Sequence, residues 1–100
     1  MEMKDFYYDK YVNAISREEY SRLMKDNEYK KVALTNLPDG KRVSTVWLGI
    51  NYNFTYHNPP LMFETMVFPQ DSWGELDCDR YCSELMAIFG HVKMVRKWKK

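Results

Sequence analysis

Glu64 is the residue of this sequence best placed to do chemistry. It is an ionisable group inside an otherwise apolar strand-like run, Leu61 to Phe68, with Met62 and Met66 two positions away on either side and so on the same strand face. A carboxylate there is costly unless paired, and a raised pKa would fit it for general-base work or for orienting a ligand. A salt bridge to Arg42 or Lys41, or an edge position open to solvent, would satisfy it equally. His57, in a loop, and His91, on the flank of a C-terminal helical stretch, could join Glu64 as acid/base partners or metal ligands, but nothing in their spacing brings the three together. Cys78 and Cys82 are spaced C-x3-C with no further Cys or His nearby, which is no zinc pattern and reads as two reduced small hydrophobes. Ser44 and Thr45 sit mid-strand rather than on the strand-to-helix elbow a nucleophilic serine uses. No catalytic residue, metal site or cofactor is therefore expected.

Binding is better supported. Tyr52, Phe54, Tyr56, Met62, Met66 and Trp73 concentrate aromatic and thioether side chains in one loop and on one strand face, the residue types that protein interfaces favour. The expected binding residues are Phe54, Tyr56, His57, Glu64, Arg42 and Trp73, facing a protein partner or a second copy of the chain. The C-terminal Lys93, Arg96, Lys97, Trp98, Lys99 and Lys100 could hold a phosphate backbone or stack a base. Cations at a helix C-terminus are also favoured by the helix dipole alone. Two other functions are compatible with the same residues: a small-ligand or nucleotide pocket lined by Glu64, Arg42 and His57, and a small hydrolase or transferase using Glu64 with a histidine.

The elements that must position these residues can be read in chain order. One hundred residues, 45% hydrophobic and 16% aromatic, make one α+β domain spanning 1–100 without disulfides. Fifteen Lys+Arg against fourteen Asp+Glu leave a net charge of +1, too little for a global field toward nucleic acid or anionic lipid. No apolar run reaches the ~18 residues of a membrane span and the N-terminus has no secretory h-region, so a cytoplasmic protein is expected. Residues Asp5 to Asn13 predict a short hairpin, and Ser16 with Glu19 predicts a capping box opening a helix that ends near Asp26. Tyr29 to Asn36 predicts a strand, Leu37-Pro38-Asp39-Gly40 a type I turn, and the runs after Lys41 and from Leu61 to Phe68 two further strands. Asp77 to Cys82 predicts an edge strand whose Asp77, Asp79 and Arg80 resist further pairing. Ser83 caps a final helix to about Trp98, whose apolar stripe Leu85, Ile88, Phe89, Val92 and Val95, continued by Arg96, is expected to face the sheet. Leu85→Asp or Val92→Asp would then unfold the domain. The predicted architecture is an antiparallel sheet of about four to six strands, with a C-terminal helix on one face and a short N-terminal helix. Because its central strands are apolar on both sides, both faces need covering.

Arg42-Val43-Ser44-Thr45-Val46-Trp47-Leu48-Gly49, Pro59-Pro60-Leu61-Met62-Phe63-Glu64-Thr65-Met66-Val67-Phe68, Arg80-Tyr81-Cys82-Ser83 and Gly90-His91 with Met94-Val95 together resemble a family of small uncharacterised proteins of phages, prophages and bacterial genomes. Typical members read R-V-S-T-V-F-L-G-L-D-H, P-P-L-L-F-E-T-M-V-F, R-Y-S-T and A-G-H-x-x-M-V. The resemblance covers about the last seventy residues. This chain has Trp47 in a Phe place, Met62 in a Leu place, Asn51-Tyr52 where Asp-His is usual, and Asn53 to Asn58 in place of a Gly-rich loop. The resemblance implies a phage or mobile-element setting, hence a binding protein acting on a host macromolecule, with inhibition of a bacterial defence system among its roles. It implies no established activity.

Overall fold

The computed structural model describes residues 6–51 and 60–99. Its elements are α1 (Arg17–Met24), α2 (Asn27–Lys30), β1 (Lys31–Asn36), β2 (Arg42–Trp47), β3 (Phe63–Phe68), β4 (Asp77–Tyr81) and α3 (Glu84–Trp98). The strands form an antiparallel meander in the order β1-β2-β3-β4, with α3 packed on one face, so the predicted α+β architecture is the one observed.

Local chemistry sets most boundaries. Ser16 Oγ accepts from the Glu19 amide (3.0 Å) to start α1, but the Glu19 carboxylate turns to Arg22 instead of back to Ser16, so only half of the capping box forms. That contact holds the Glu19 carboxyl below its ordinary range. Asp26 Oδ1 caps α2 through the Tyr29 amide (3.0 Å), which keeps Tyr29 and Lys30 helical and delays β1 to Lys31. Gly40 donates to the Leu37 carbonyl (2.9 Å), closing the predicted turn. Ser83 Oγ accepts from the Met86 amide (3.2 Å) at the start of α3. The predicted N-terminal hairpin is replaced by two isolated bridges, Tyr7 with Ile50 and Tyr8 with Ala14. Asp9 Oδ1 accepts from the amides of Tyr11 and Asn13 (2.9 Å each), and Val12 adopts φ 63°, so the chain curls around a carboxylate rather than pairing as strands.

The face of α3 that packs is the main departure from expectation. Its buried residues are Ala87, Gly90, His91 and Met94, whereas Leu85 (64% exposed), Ile88 (45%), Phe89 (62%) and Val92 (45%) point away from the sheet. Val95 alone of the expected stripe is partly buried. The reason is distance: Ala87 and Gly90 are small, and a Cβ on Gly90 would overlap Cε1, Cζ and the hydroxyl of Tyr81. Where α3 lies closest, over Tyr81, only a residue without a side chain fits, while His91 and Met94 fill the rest of the contact. Leu85→Asp and Val92→Asp are accordingly surface changes, and the expectation that they unfold the protein is corrected.

Two buried clusters result. Leu23, Trp47, Met62, Phe63, Tyr81 and Ala87 form one, onto which Tyr20, Tyr29 and Ile15 pack; Leu37, Val43, Val67 and Met94 form the other, flanked by Trp98.

Candidate functional site

Strand register assigns every described candidate to a face. Val46, Glu64 and Arg80 lie side by side across β2, β3 and β4; Ser44, Met66 and Cys78 form the next row, with Leu34 of β1 beside Ser44; Arg42 and Phe68 form a third. These residues alternate with Val43, Thr45, Trp47, Phe63, Thr65 and Val67 and therefore occupy the face opposite α3. Leu34 is exposed, and Val46, Met66 and Phe68 are half-buried. With α3 on the other face and α1 and α2 packed around Trp47 at one end, no described helix lies across this surface. Glu64, Arg42 and Trp73 are all found on it or at its rim. Phe54, Tyr56 and His57, the remaining expected binding residues, lie outside the described residues.

Glu64 is 6% exposed. Its Oε2 accepts from Arg80 Nε at 2.9 Å and from the Cys78 thiol at 3.3 Å, both on the neighbouring strand. The expected pairing with Arg42 or Lys41 does not occur. Arg42 stands opposite Phe68, four positions along β3 from Glu64 and so roughly 13 Å away, while Lys41 pairs with Asp39. Glu64 and Arg42 therefore stand in different rows of the same sheet face. Burial first, and then the hydrogen bond and negative charge of Glu64, push the Cys78 thiol up to about 12, so it stays protonated and is no nucleophile or thiolate ligand at neutral pH. No group of three metal-ligating side chains occurs among the described residues.

Arg42 instead organises the rim. Its guanidinium donates to the carbonyls of Gln70 (3.1 Å) and Ser72 (3.3 Å) and lies 4.8 Å from the ring centre of Trp73 and 5.5 Å from that of Phe68. Trp73 meets Phe68 edge-on at 5.6 Å and is still 80% exposed. The loop after β3 is thus tied to β2, with a large aromatic side chain held outward in one place.

Between sheet and helix lies a polar chain. His91, 6% exposed, places Nε2 2.8 Å from Thr35 Oγ1 and Nδ1 2.7 Å from Thr45 Oγ1, which in turn meets Thr65 Oγ1 at 2.5 Å. The Tyr81 hydroxyl is buried beside Thr65 without a well-formed hydrogen bond, and burial raises its pKa. Both imidazole nitrogens are engaged and shielded, so His91 orients α3 on the sheet rather than acting on a solute. Burial holds its pKa below 6.5. The unfolded chain therefore takes up a proton near pH 6.5 that the folded protein refuses, and stability present above that pH is lost as pH falls through it. Unfolding free energies from urea titrations should decline from pH 7.5 to 5.5, by no more than ~1.4 kcal/mol per pH unit, and His91→Gln should flatten the decline. An unchanged slope in His91→Gln would assign the dependence elsewhere.

The basic C-terminal end is partly committed to structure. Asp77 Oδ2 accepts from Lys97 Nζ (2.7 Å) and Trp98 Nε1 (2.9 Å), and these bonds, Lys97 first, hold the Asp77 carboxyl below its ordinary value. Trp98, set against the Leu37–Met94 cluster, is turned inward and offers no free stacking platform. Lys100 lies outside the described residues. On β4 the amides of Cys78 and Arg80 donate to the Asp77 and Asp79 carboxylates (2.9 Å each), which blunts this edge as the sequence predicts.

No described helix is long and apolar enough to cross a membrane. The chain matches no protein-family model, no curated protein and no solved structure.

Sequence reasoning missed the outward stripe of α3 and the His91–threonine chain. Gly90-His91 was the available signal: a glycine in mid-helix next to a histidine, on the side away from the bulky residues, marks a close and polar helix–sheet contact.

Proposed function

We propose that this protein is a non-catalytic binding module that docks on a host protein through the open sheet face. The supporting observation is the surface itself, with Leu34, Val46, Met66 and Phe68 set among Ser44 and the Glu64–Arg80 pair, and Trp73 held outward at its rim by Arg42. Aromatic residues, Met and Arg together with such mixed apolar and polar surface are the composition protein interfaces favour. Among the described residues, Glu64 is engaged with Arg80 and Cys78, and His91 with Thr35 and Thr45. The phage-type setting in a bacterial host and the inhibition of a defence system come from the family resemblance, and the cytoplasmic location from the lack of a membrane-spanning run or secretory h-region in the sequence.

The test is affinity capture from lysate of a phage-susceptible bacterium, followed by reconstitution of the captured protein with the pure chain. Met66→Asp, on the open face, and Trp73→Ala, at its rim, should keep the circular dichroism spectrum. Met66→Asp should weaken the reconstituted complex at least 100-fold and Trp73→Ala about tenfold. Undiminished binding by both folded variants would refute the assignment of this face.

A further inference from the structure

The geometry points to a small-ligand site in the cleft between β4 and α3, which takes a compact zwitterion with an apolar side chain, the chemistry of an apolar α-amino acid or a dipeptide. It lies on the α3 side of the sheet and is independent of the open-face assignment. Met86, Phe89, Gly90 and Lys93 recur at i, i+3, i+4 and i+7 and so form one stripe of α3, while Asp79 and Tyr81 stand two apart on β4, on the side of the sheet that α3 covers. Together they line a cleft of about 740 Å³, within the range of small-molecule sites. Its floor is the Tyr81 ring with Gly90 set directly against it, and its far end is closed where Asp77 accepts from Lys97 (2.7 Å) and Trp98 (2.9 Å). Met86 (53% exposed) and Phe89 (62%) are large apolar side chains left in water beside it.

Charge selects the ligand. With Asp77 taken by Lys97, the cleft keeps one acid and one base, Asp79 and Lys93, midway along strand and helix between that pair and the Tyr81–Gly90 contact. Both are exposed; Asp79 Oδ1 accepts from the Arg80 amide (2.9 Å), and among the described residues neither Asp79 Oδ2 nor Lys93 Nζ has a partner. A polyanion such as phosphate would face Asp77 and Asp79, and a lone cation would face Lys93 and Lys97. An uncharged apolar ligand would strip water from both free charges and replace it with nothing. An added peptide strand gains no main-chain bonds, because Asp77 and Asp79 already hold the amides of Cys78 and Arg80. A molecule with an ammonium for Asp79, a carboxylate for Lys93 and an apolar group to cover Met86 and Phe89 meets all of these demands at once.

Titration of the isotope-labelled chain with L-phenylalanine, followed by amide chemical shifts, tests the proposal. Saturable shifts are expected at Asp79, Gly90 and Lys93, with a dissociation constant of about 1 mM or below. Phenethylamine, which lacks the carboxylate, and 3-phenylpropionate, which lacks the ammonium, should each bind about fivefold more weakly. Lys93→Met should abolish only the preference over phenethylamine, and Asp79→Asn only the preference over 3-phenylpropionate, a split that a merely structural role of either residue does not produce. Phe89→Ala should weaken all three ligands alike. Phenylalanyl-leucine is titrated beside them, and the tighter of it and phenylalanine names the source as a dipeptide or a free amino acid. No saturable shift with either up to about 20 mM, analogues that bind as well as phenylalanine, or preferences unmoved in both charge variants when these are folded by circular dichroism, would overturn the proposal.

Discussion

Replacing Gly90 by alanine is expected to destabilise the protein by about 2–3 kcal/mol, the reverse of the usual effect in a helix interior. Gly→Ala ordinarily stabilises a helix by about 1 kcal/mol because alanine loses less backbone freedom. Here the added methyl meets the ring of buried Tyr81, and relief requires α3 to lift from the sheet or the ring to leave its place. Lifting α3 would also stretch the bonds from His91 to Thr35 and Thr45, so overpacking and loss of hydrogen bonds act together. Tyr81→Leu, which vacates part of the ring's space, should tolerate alanine at position 90. A double-mutant cycle in urea should therefore give a coupling energy above about 1 kcal/mol. Additive effects would show that Tyr81 is not what confines Gly90.

Trp47→Ala should cost still more, about 3–5 kcal/mol, as expected for a large aromatic residue removed from a core. Trp47 is 1% exposed and joins three parts of the chain. Its Nε1 donates to the Tyr8 carbonyl (3.0 Å), its ring meets Tyr29 edge-on at 5.0 Å, and Tyr20 of α1 lies 6.1 Å away. Gly49, with φ 76°, turns the chain so tightly over this ring that a Cβ would overlap both Trp47 and Tyr20. Loss of the indole should release residues 6–30 from the sheet before the sheet itself unfolds, seen as a lower urea m-value and early amide exchange across α1 and α2. Trp47→Phe keeps ring packing and loses the bond to Tyr8, so about 1–1.5 kcal/mol is expected. Equal losses for the two substitutions would place the stabilisation in the hydrogen bond rather than in the ring.

Elements whose cause is local are legible in the sequence. Ser16 and Ser83 cap helices where they stand, Leu37 to Gly40 turns the chain, and the alternation after Lys41 and Leu61 fixes two strands. What decides the sites is not local. Both sides of α3 carry apolar residues, and the bulkier side is the natural choice for the core. The choice is reversed by contacts with Thr35 and Thr45, 56 and 46 positions away, and by the single overlap a side chain at Gly90 would make. The partner of Glu64 is likewise set by the register of β3 against β4, which places Arg80 beside it and carries Arg42 to another row. Glu64 itself was legible as a buried carboxylate needing a partner; which cation supplies it was not.

The self-capped edge of β4 has a consequence for how such a chain behaves when concentrated. A sheet with an apolar field on one side and an apolar helix on the other invites association, and the dangerous form is edge-to-edge growth, which has no natural end. Asp77 and Asp79 already hold the amides of Cys78 and Arg80, so an incoming strand finds those donors occupied and two carboxylates in its way. Growth through the β4 edge is thereby opposed, and association at the faces, where each contact uses up the surface that made it, ends in a closed particle instead of a fibril.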